Sequence, residues 1–203
     1  EKFQTAGIEV KNSNLGQLPE TTWFHYPSDY LGDIVHSLNV RSDNLYAESV
    51  LRLLSLSVHE KGSAEKGIDI IRKYWQNYEA DSLELFMYDG SGLARNNKVS
   101  AKYLNCVLKE TARDSLIGEY FVQTLPLAGK EGSVATFMKH GELPGELRLK
   151  SGSMSDVHAY AGYYTTPQNR YAIVVMINNY TCTRAQLKQK ISTLLTQVLS
   201  KKE

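Results

Sequence analysis

The chain has 203 residues, of which 42% are hydrophobic and 22% charged, enough to bury one sizeable core and short for two. Its formal net charge of +1 provides no basic field for a nucleic acid, and neither zinc-finger spacing nor a basic heptad helix is present. Its longest apolar run, Tyr171 to Ile177, is strand-length and well short of the ~20 residues of a membrane-spanning helix.

The two cysteines, Cys106 and Cys182, read as thiols buried among apolar neighbours rather than as a disulfide framework. A single bridge between them would require an oxidising compartment. The chain opens with Glu1-Lys2-Phe3 rather than with Met and a leader, which reads as a processed or trimmed product.

Residues 1–30 hold a short apolar segment around Ile8 and Val10, then a loop with Gly16, Pro19 and Pro27. A short helix is predicted over Leu31 to Leu38. After Ser42-Asp43-Asn44 the pattern becomes helical: Ala47, Val50, Leu51, Leu54 and Val58 fall at three-and-four spacing. Gly62-Ser63 ends this helix and opens another, with Ile68, Ile71, Trp75 and Tyr78 as its apolar stripe. Leu83 to Tyr88 reads as a short buried segment. Asp89-Gly90-Ser91-Gly92 reads as a turn, because its glycines accept backbone angles other residues avoid. Helices are predicted from about Ser100 to Thr111 and near Ser115 to Phe121. Pro126, Gly129, Gly132, Gly141, Pro144 and Gly145 punctuate a loop-rich stretch.

The last quarter changes character. Leu147 and Leu149 alternate with Arg148 and Lys150, as in a half-buried strand. Ala159 to Thr165 reads as a second strand. Tyr171 to Ile177 reads as a third, apolar on both faces and therefore expected to be central. Short connections favour an antiparallel meander. Thr183 and Gln186 form a capping box for a final helix with a stripe at Leu187, Ile191, Leu194 and Val198. Helices, three strands and a helix make an α+β arrangement.

Ser42-Asp43-Asn44 precedes a helix, and taken alone it reads as an N-cap, since these residue types are the favoured caps. Lys150-Ser151-Gly152-Ser153 puts a cation and hydroxyls at the end of a strand where glycine allows a ligand close to the backbone. Alone, it reads equally as a strand end with a bulge. Their order is more specific. Serine acyl-transfer enzymes of the penicillin-binding and β-lactamase type carry Ser-x-x-Lys, then Ser-x-Asn, then Lys-Thr/Ser-Gly on a strand. Here the second and third of these lie 108 positions apart.

Four segments extend the match. They are Ser42 to Glu48 with its Leu-x-Ala-Glu continuation, Asp89-Gly90-Ser91-Gly92-Leu93-Ala94-Arg95, Leu125-Pro126-Leu127-Ala128-Gly129-Lys130-Glu131-Gly132, and Lys150 to Met154 with Ala161-Gly162-Tyr163. In this order they resemble the penicillin-binding D-alanyl-D-alanine carboxypeptidase/endopeptidase family, peptidase family S13, over about Gly7 to Ile177. The resemblance implies the C-terminal portion of a β-lactamase/transpeptidase-like fold, with residues 1–203 as part of one domain. It implies a serine-type D-Ala-D-Ala carboxypeptidase, with endopeptidase action through the same site, in the periplasm or cell envelope. It requires no metal or cofactor. Its partners would be peptidoglycan stem peptides ending in D-Ala-D-Ala, β-lactams that mimic them, and the N-terminal segment of the same protein.

By the same resemblance Ser42 and Lys150 would form a hydroxyl–ammonium relay to the leaving amine, and Asn44 would hold the acyl amide. Lys150 and Ser151 would bind the terminal carboxylate. Gly152 would admit the substrate to the strand, and the Ser153 N–H would be an oxyanion donor. Ser151 stands where threonine is commoner. No Ser-x-x-Lys precedes Ser42, so the nucleophile and its base are expected outside these residues and the chain alone is expected to be inactive. Ser63-Ala64-Glu65-Lys66 fits the pattern literally but reads as a helix start capped by Ser63. A β-lactamase or esterase of the same fold and a non-catalytic cell-wall-binding module are the rival readings. The histidines, His25, His36, His59, His140 and His158, show no metal-ligand spacing.

Overall fold

The computed structural model describes residues 26–78, 82–138 and 143–201. The expected apolar segment at Ile8 and Val10, the loop at Gly16 and Pro19, His25, His140, Gly141 and Lys202-Glu203 lie outside them. The described chain runs through α1 (Leu31–Arg41), α2 (Asn44–Leu56), α3 (Ala64–Trp75), a 3-10 turn (Ser82–Glu84), β1 (Leu85–Phe86) and β2 (Lys98–Val99). It continues through α4 (Ala101–Arg113), α5 (Gly118–Thr124), a second 3-10 turn (Gly132–Val134), β3 (Glu146–Met154), β4 (Val157–Thr165), β5 (Arg170–Asn178) and α6 (Arg184–Leu199). This is the expected α+β order.

Side-chain caps set most of the helix starts. Asp43, Ser63, Ser100 and Thr183 each accept a hydrogen bond from the backbone N–H three residues on, and Thr183 with Gln186 closes the predicted capping box. The strands β3, β4 and β5 form an antiparallel meander in that spatial order. Lys150 sits opposite Ala161, which sits opposite Val174.

The alternation of the strands sorts the core onto two faces of the sheet. On one, Leu147, Leu149, Tyr160, Tyr164 and Ile173 pack with Leu187, Ile191, Leu195 and Leu199 of α6. On the other, Tyr163, Ala161, Ala172 and Val174 pack with Leu108, Val122 and Leu125, and the Tyr163 hydroxyl donates to the Leu108 carbonyl at 2.7 Å. Lys150 and Gly152 belong to this second, helix-covered face. Cys106 and Cys182 are both half-buried and no disulfide joins them. No helix among the described residues is long and apolar enough to cross a membrane.

Several expectations need correction. Tyr171–Ile177 is apolar on both faces, yet β5 ends the sheet among the described residues, and β4 is central. Its faces are apolar because α4 and α6 cover them; central position in the sheet is not required. Lys150 does not end its strand: β3 continues through Met154, paired throughout with β4. The stripe of α6 runs 187, 191, 195, 199, leaving Leu194 and Val198 exposed. Leu83 to Tyr88 is not buried; Leu83, Phe86 and Tyr88 are all exposed, on a two-stranded hairpin. Finally, α5 begins at Gly118 instead of Ser115, because the Asp114 carboxylate accepts from the N–H groups of Leu116 and Ile117 and holds a turn there.

Candidate active site

Ser42 terminates α1 in the left-handed conformation, φ 54° and ψ 48°. That region disfavours non-glycine residues by about 1–2 kcal/mol, and here it reverses the chain so that α2 begins two residues later. The Asp43 N–H bonds back to the Leu38 carbonyl at 3.2 Å, while its carboxylate accepts from the Tyr46 N–H at 3.0 Å. The cap reading was therefore right for Asp43 alone. Asn44 is the first residue of α2 and is exposed. Ser42 is carried out at the elbow, where its hydroxyl accepts a hydrogen bond from the Lys150 ammonium.

Lys150 reaches Ser42 from the helix-covered face of β3 and also donates to the Ser151 carbonyl at 2.8 Å. Its stem is half-buried, and burial pushes the ammonium pKa below its ordinary value. The edge of β3 is specialised along its length. Its first half is paired: the Ala128 N–H donates to the Leu147 carbonyl at 2.9 Å, and the Leu149 N–H to the Pro126 carbonyl at 3.0 Å. Because Leu147 and Leu149 direct their backbone groups to this outer edge, alternation directs those of Ser151 and Ser153 the same way. Beyond Lys150 the strand thus presents two N–H groups on the side from which the Leu125–Ala128 segment approaches.

The remaining segments position these residues. Glu48, on α2 just after Ser42-Asp43-Asn44, accepts from the N–H groups of Gly90 at 2.8 Å and Ser91 at 3.1 Å, and from Arg52 at 2.8 Å. Burial tends to raise the Glu48 pKa, but these donors outweigh it and hold the carboxyl below its ordinary value. A Cβ at Gly90 would lie 2.7 Å from the Ala47 carbonyl oxygen, so the turn sits directly on α2. The Asp89 carboxylate organises the turn from within, accepting from Gly92 and Ala94 N–H groups and the Asn97 amide at 2.8, 2.6 and 2.8 Å. Asn39 on α1 donates to Thr124 on α5 at 3.0 Å, both buried. Among the described residues no cluster of His, Cys, Asp or Glu could hold a metal ion.

Two expectations about side candidates resolve clearly. Ser63 caps α3, its hydroxyl accepting from Lys66 N–H and its own N–H donating to Ser55 at 2.7 Å. His158, one of the histidines without metal-ligand spacing, is buried on the α6 face against Tyr160, ring centroids 4.9 Å apart. One residue escaped the sequence reading. Ser133, exposed on the second 3-10 turn, has its hydroxyl 2.7 Å from that of Ser151. No spacing rule joins two serines on a loop and a strand, so a single sequence carries no signal for it.

The profile of the D-Ala-D-Ala carboxypeptidase 3 (S13) family matches residues 1–201. The chain belongs to this family. A D-alanyl-D-alanine carboxypeptidase of Actinomadura sp. (strain R39) is 26% identical over 192 residues, which cover 89% of this chain and 35% of that protein. A D-alanyl-D-alanine carboxypeptidase of Haemophilus influenzae is 27% identical over 171 residues, covering 81% of this chain and 35% of its own length. The crystal structure of penicillin binding protein 4 from Haemophilus influenzae, complexed with a β-lactam, superposes with a TM-score of 0.67 at 26% identity. The match covers 82% of this chain and 41% of that one. This S13 chain thus spans 35% of the length of either curated relative. The fold expected from the four motif segments is the one these relatives share.

Proposed function

We propose that this S13 chain forms the Ser42/Lys150 side of a serine-type D-Ala-D-Ala carboxypeptidase site acting on peptidoglycan stem peptides in the cell envelope. The observation that carries the reading is the hydrogen bond from Lys150 to Ser42, which joins two motifs 108 positions apart. On this reading the attacking serine and its lysine base would lie outside these 203 residues, since no Ser-x-x-Lys precedes Ser42. We read Ser63 as a helix cap and not as that nucleophile, because its hydroxyl accepts from the Lys66 N–H.

The serine would attack the penultimate D-Ala carbonyl, and the Ser153 N–H would donate to the oxyanion. Ser42, hydrogen-bonded to Lys150, would pass a proton to the departing D-Ala nitrogen as the C–N bond breaks, and Lys150 would resupply the Ser42 oxygen. Burial lowers the Lys150 pKa, which makes its proton easier to pass to the Ser42 oxygen. Asn44 would hold the acyl amide, Lys150 and Ser151 the terminal carboxylate, and Gly152 would leave room for the peptide along β3. Water would then release the acyl group. β-Lactams would acylate the same serine, and cross-linked peptides would enter as endopeptidase substrates.

The sheet supports the same division of the domain. Among the described residues β5 is apolar on both faces but last in order, and an uncovered strand edge invites pairing; a strand from the nucleophile-bearing portion would cover it. The test is labelling of the complete gene product by a fluorescent penicillin, with release of D-Ala from an acyl-D-Ala-D-Ala peptide. Ser42→Ala and Lys150→Met are expected to abolish D-Ala release. Labelling of the isolated 203-residue chain that disappears with Ser63→Ala would overturn the assignment, and rapid ampicillin turnover would replace it with a β-lactamase.

A further inference from the structure

We propose that Ser133 is a positioning residue that orients the Ser151 hydroxyl toward the carboxylate of the substrate; this rests on the acyl-transfer reading of Ser42 and Lys150 and deepens it. A hydroxyl on a half-exposed strand rotates freely and can hydrogen-bond water, its own backbone or a ligand. At Ser151 that freedom is removed by one neighbour, Ser133, at 2.7 Å.

The direction of this bond follows from what the site would bind. A carboxylate only accepts, so a Ser151 hydroxyl serving it must donate its hydrogen to the ligand. The pair has one hydrogen to place between the two oxygens, and it must then come from Ser133. Ser133 donates to Ser151, Ser151 donates to the carboxylate, and each bond polarises the next. The Lys150 ammonium, held against the Ser151 carbonyl at 2.8 Å, adds the charge.

The backbone around Ser133 is built to hold it there. Gly132 has φ 51°, and a Cβ on it would lie 2.3 Å from the Val40 carbonyl oxygen, so the turn is pressed against the last turn of α1, two residues before Ser42. The Gly129 N–H donates to the Val134 carbonyl at 3.0 Å, closing the loop on itself. The Glu131 carboxylate accepts from the Leu127 N–H at 2.9 Å, tying the loop to the segment paired with β3. A surface serine with no task would not need three such constraints within four residues.

The test compares two thioesters on the complete gene product: an acyl-glycyl thioester with thioglycolate as leaving group, and its methyl ester, which lacks the carboxylate. Ser133→Ala is expected to raise KM for the carboxylate form roughly five- to tenfold, the loss of about one net hydrogen bond, with kcat little changed and the methyl ester unaffected. Ser133→Thr should restore the parent KM. In a Ser151→Ala background, Ser133→Ala should have no further effect. Equal losses on both thioesters, or additive losses in the double variant, would overturn the positioning role. If the parent protein hydrolyses neither thioester and takes no penicillin label, the acyl-transfer reading itself fails and this inference falls with it.

Discussion

The Lys150 ammonium donates to the Ser42 hydroxyl across the boundary between the strand sheet and the helices. Each of the two is a residue type that is locally unfavourable at its position. Ser42 occupies a left-handed position that glycine or asparagine would fill with less strain, and Lys150 places a cation on the face of β3 that packs against helices. Two locally unfavourable choices that meet each other are the pattern expected where function overrides stability.

Lys150→Met should therefore separate stability from chemistry. Burial holds the folded-state pKa of Lys150 below its unfolded value, so the unfolded chain holds that proton more tightly. The ammonium costs stability below the folded pKa, and the cost fades as pH rises through that pKa toward the unfolded value. Methionine removes the charge and keeps the stem. In the complete gene product the variant is expected to lose D-Ala release while its Tm at pH 7 rises by a few degrees at most, the effect of about 1 kcal/mol. A fall in Tm, seen in a thermal melt of the parent and variant side by side, would mean that the Ser42 bond outweighs the desolvation.

Glu48 is expected to matter for the fold rather than for the reaction. Its carboxylate joins α2 to the N–H groups of Gly90 and Ser91, and Glu48→Ala would leave both donors without it. A loss of about 1–3 kcal/mol is expected, read as a lower urea midpoint, with residual penicillin labelling in proportion to the folded fraction. The donors also hold the Glu48 and Asp89 carboxyls below their ordinary values against the opposing effect of burial. Their stabilisation is complete above the unfolded pKa values of 4.5 and 3.8 and is lost as pH falls through the lower folded ones. Unfolding in acid should begin with the hairpin, and Glu48→Ala should make it less steep.

How much of this was visible beforehand differs by residue. The helix caps at Asp43, Ser63 and Thr183 were legible because the capping bond spans three residues and needs only local sequence. The antiparallel meander was legible from alternation and short connections. The place of β5 at the end of the sheet among the described residues was not: alternation reports which faces are covered, and α4 and α6 cover both faces of an edge strand as well as they would a central one. Ser42 and Lys150 were legible only as members of a known pattern, since nothing local links an elbow to a strand 108 positions away. The same limit hid Ser133, whose partner is Ser151 on another element.

His158 gives the protein a further pH dependence. It is buried on the α6 face beside Tyr160, and burial, then the nearby Lys188 and Arg184 of α6, push its pKa below the ordinary histidine value. The native state therefore prefers neutral imidazole. Stability from this group is complete above the unfolded pKa of 6.5 and declines as pH falls through the lower folded one. Replacement by phenylalanine, which keeps the ring and removes the titration, should flatten the Tm profile below about pH 6.5. An unchanged slope in His158→Phe would place the acid sensitivity elsewhere.

Gly132→Ala is the sharpest test of how Ser42 and the Ser133–Ser151 pair are held relative to each other. Alanine would face two penalties at once: φ 51° is unfavourable for any residue with a Cβ, and that Cβ would meet the Val40 carbonyl oxygen at 2.3 Å. The obstacle is backbone, so it cannot swing aside as a side chain would. Either the second 3-10 turn lifts away from α1, moving Ser133 from Ser151, or the end of α1 shifts and carries Ser42 with it. The conformational penalty alone is about 1–2 kcal/mol, and the clash adds to it. In both cases acylation should slow by more than the folded fraction explains, because small displacements at a reacting centre are costly. Comparing penicillin acylation rates per folded molecule in Gly132→Ala and Gly92→Ala variants of the complete gene product controls for strain, since Gly92 also has positive φ, 78°, but open space around its Cβ. Equal per-molecule rates in the two variants would show that the contact with Val40 is not what aligns Ser42 and Ser151.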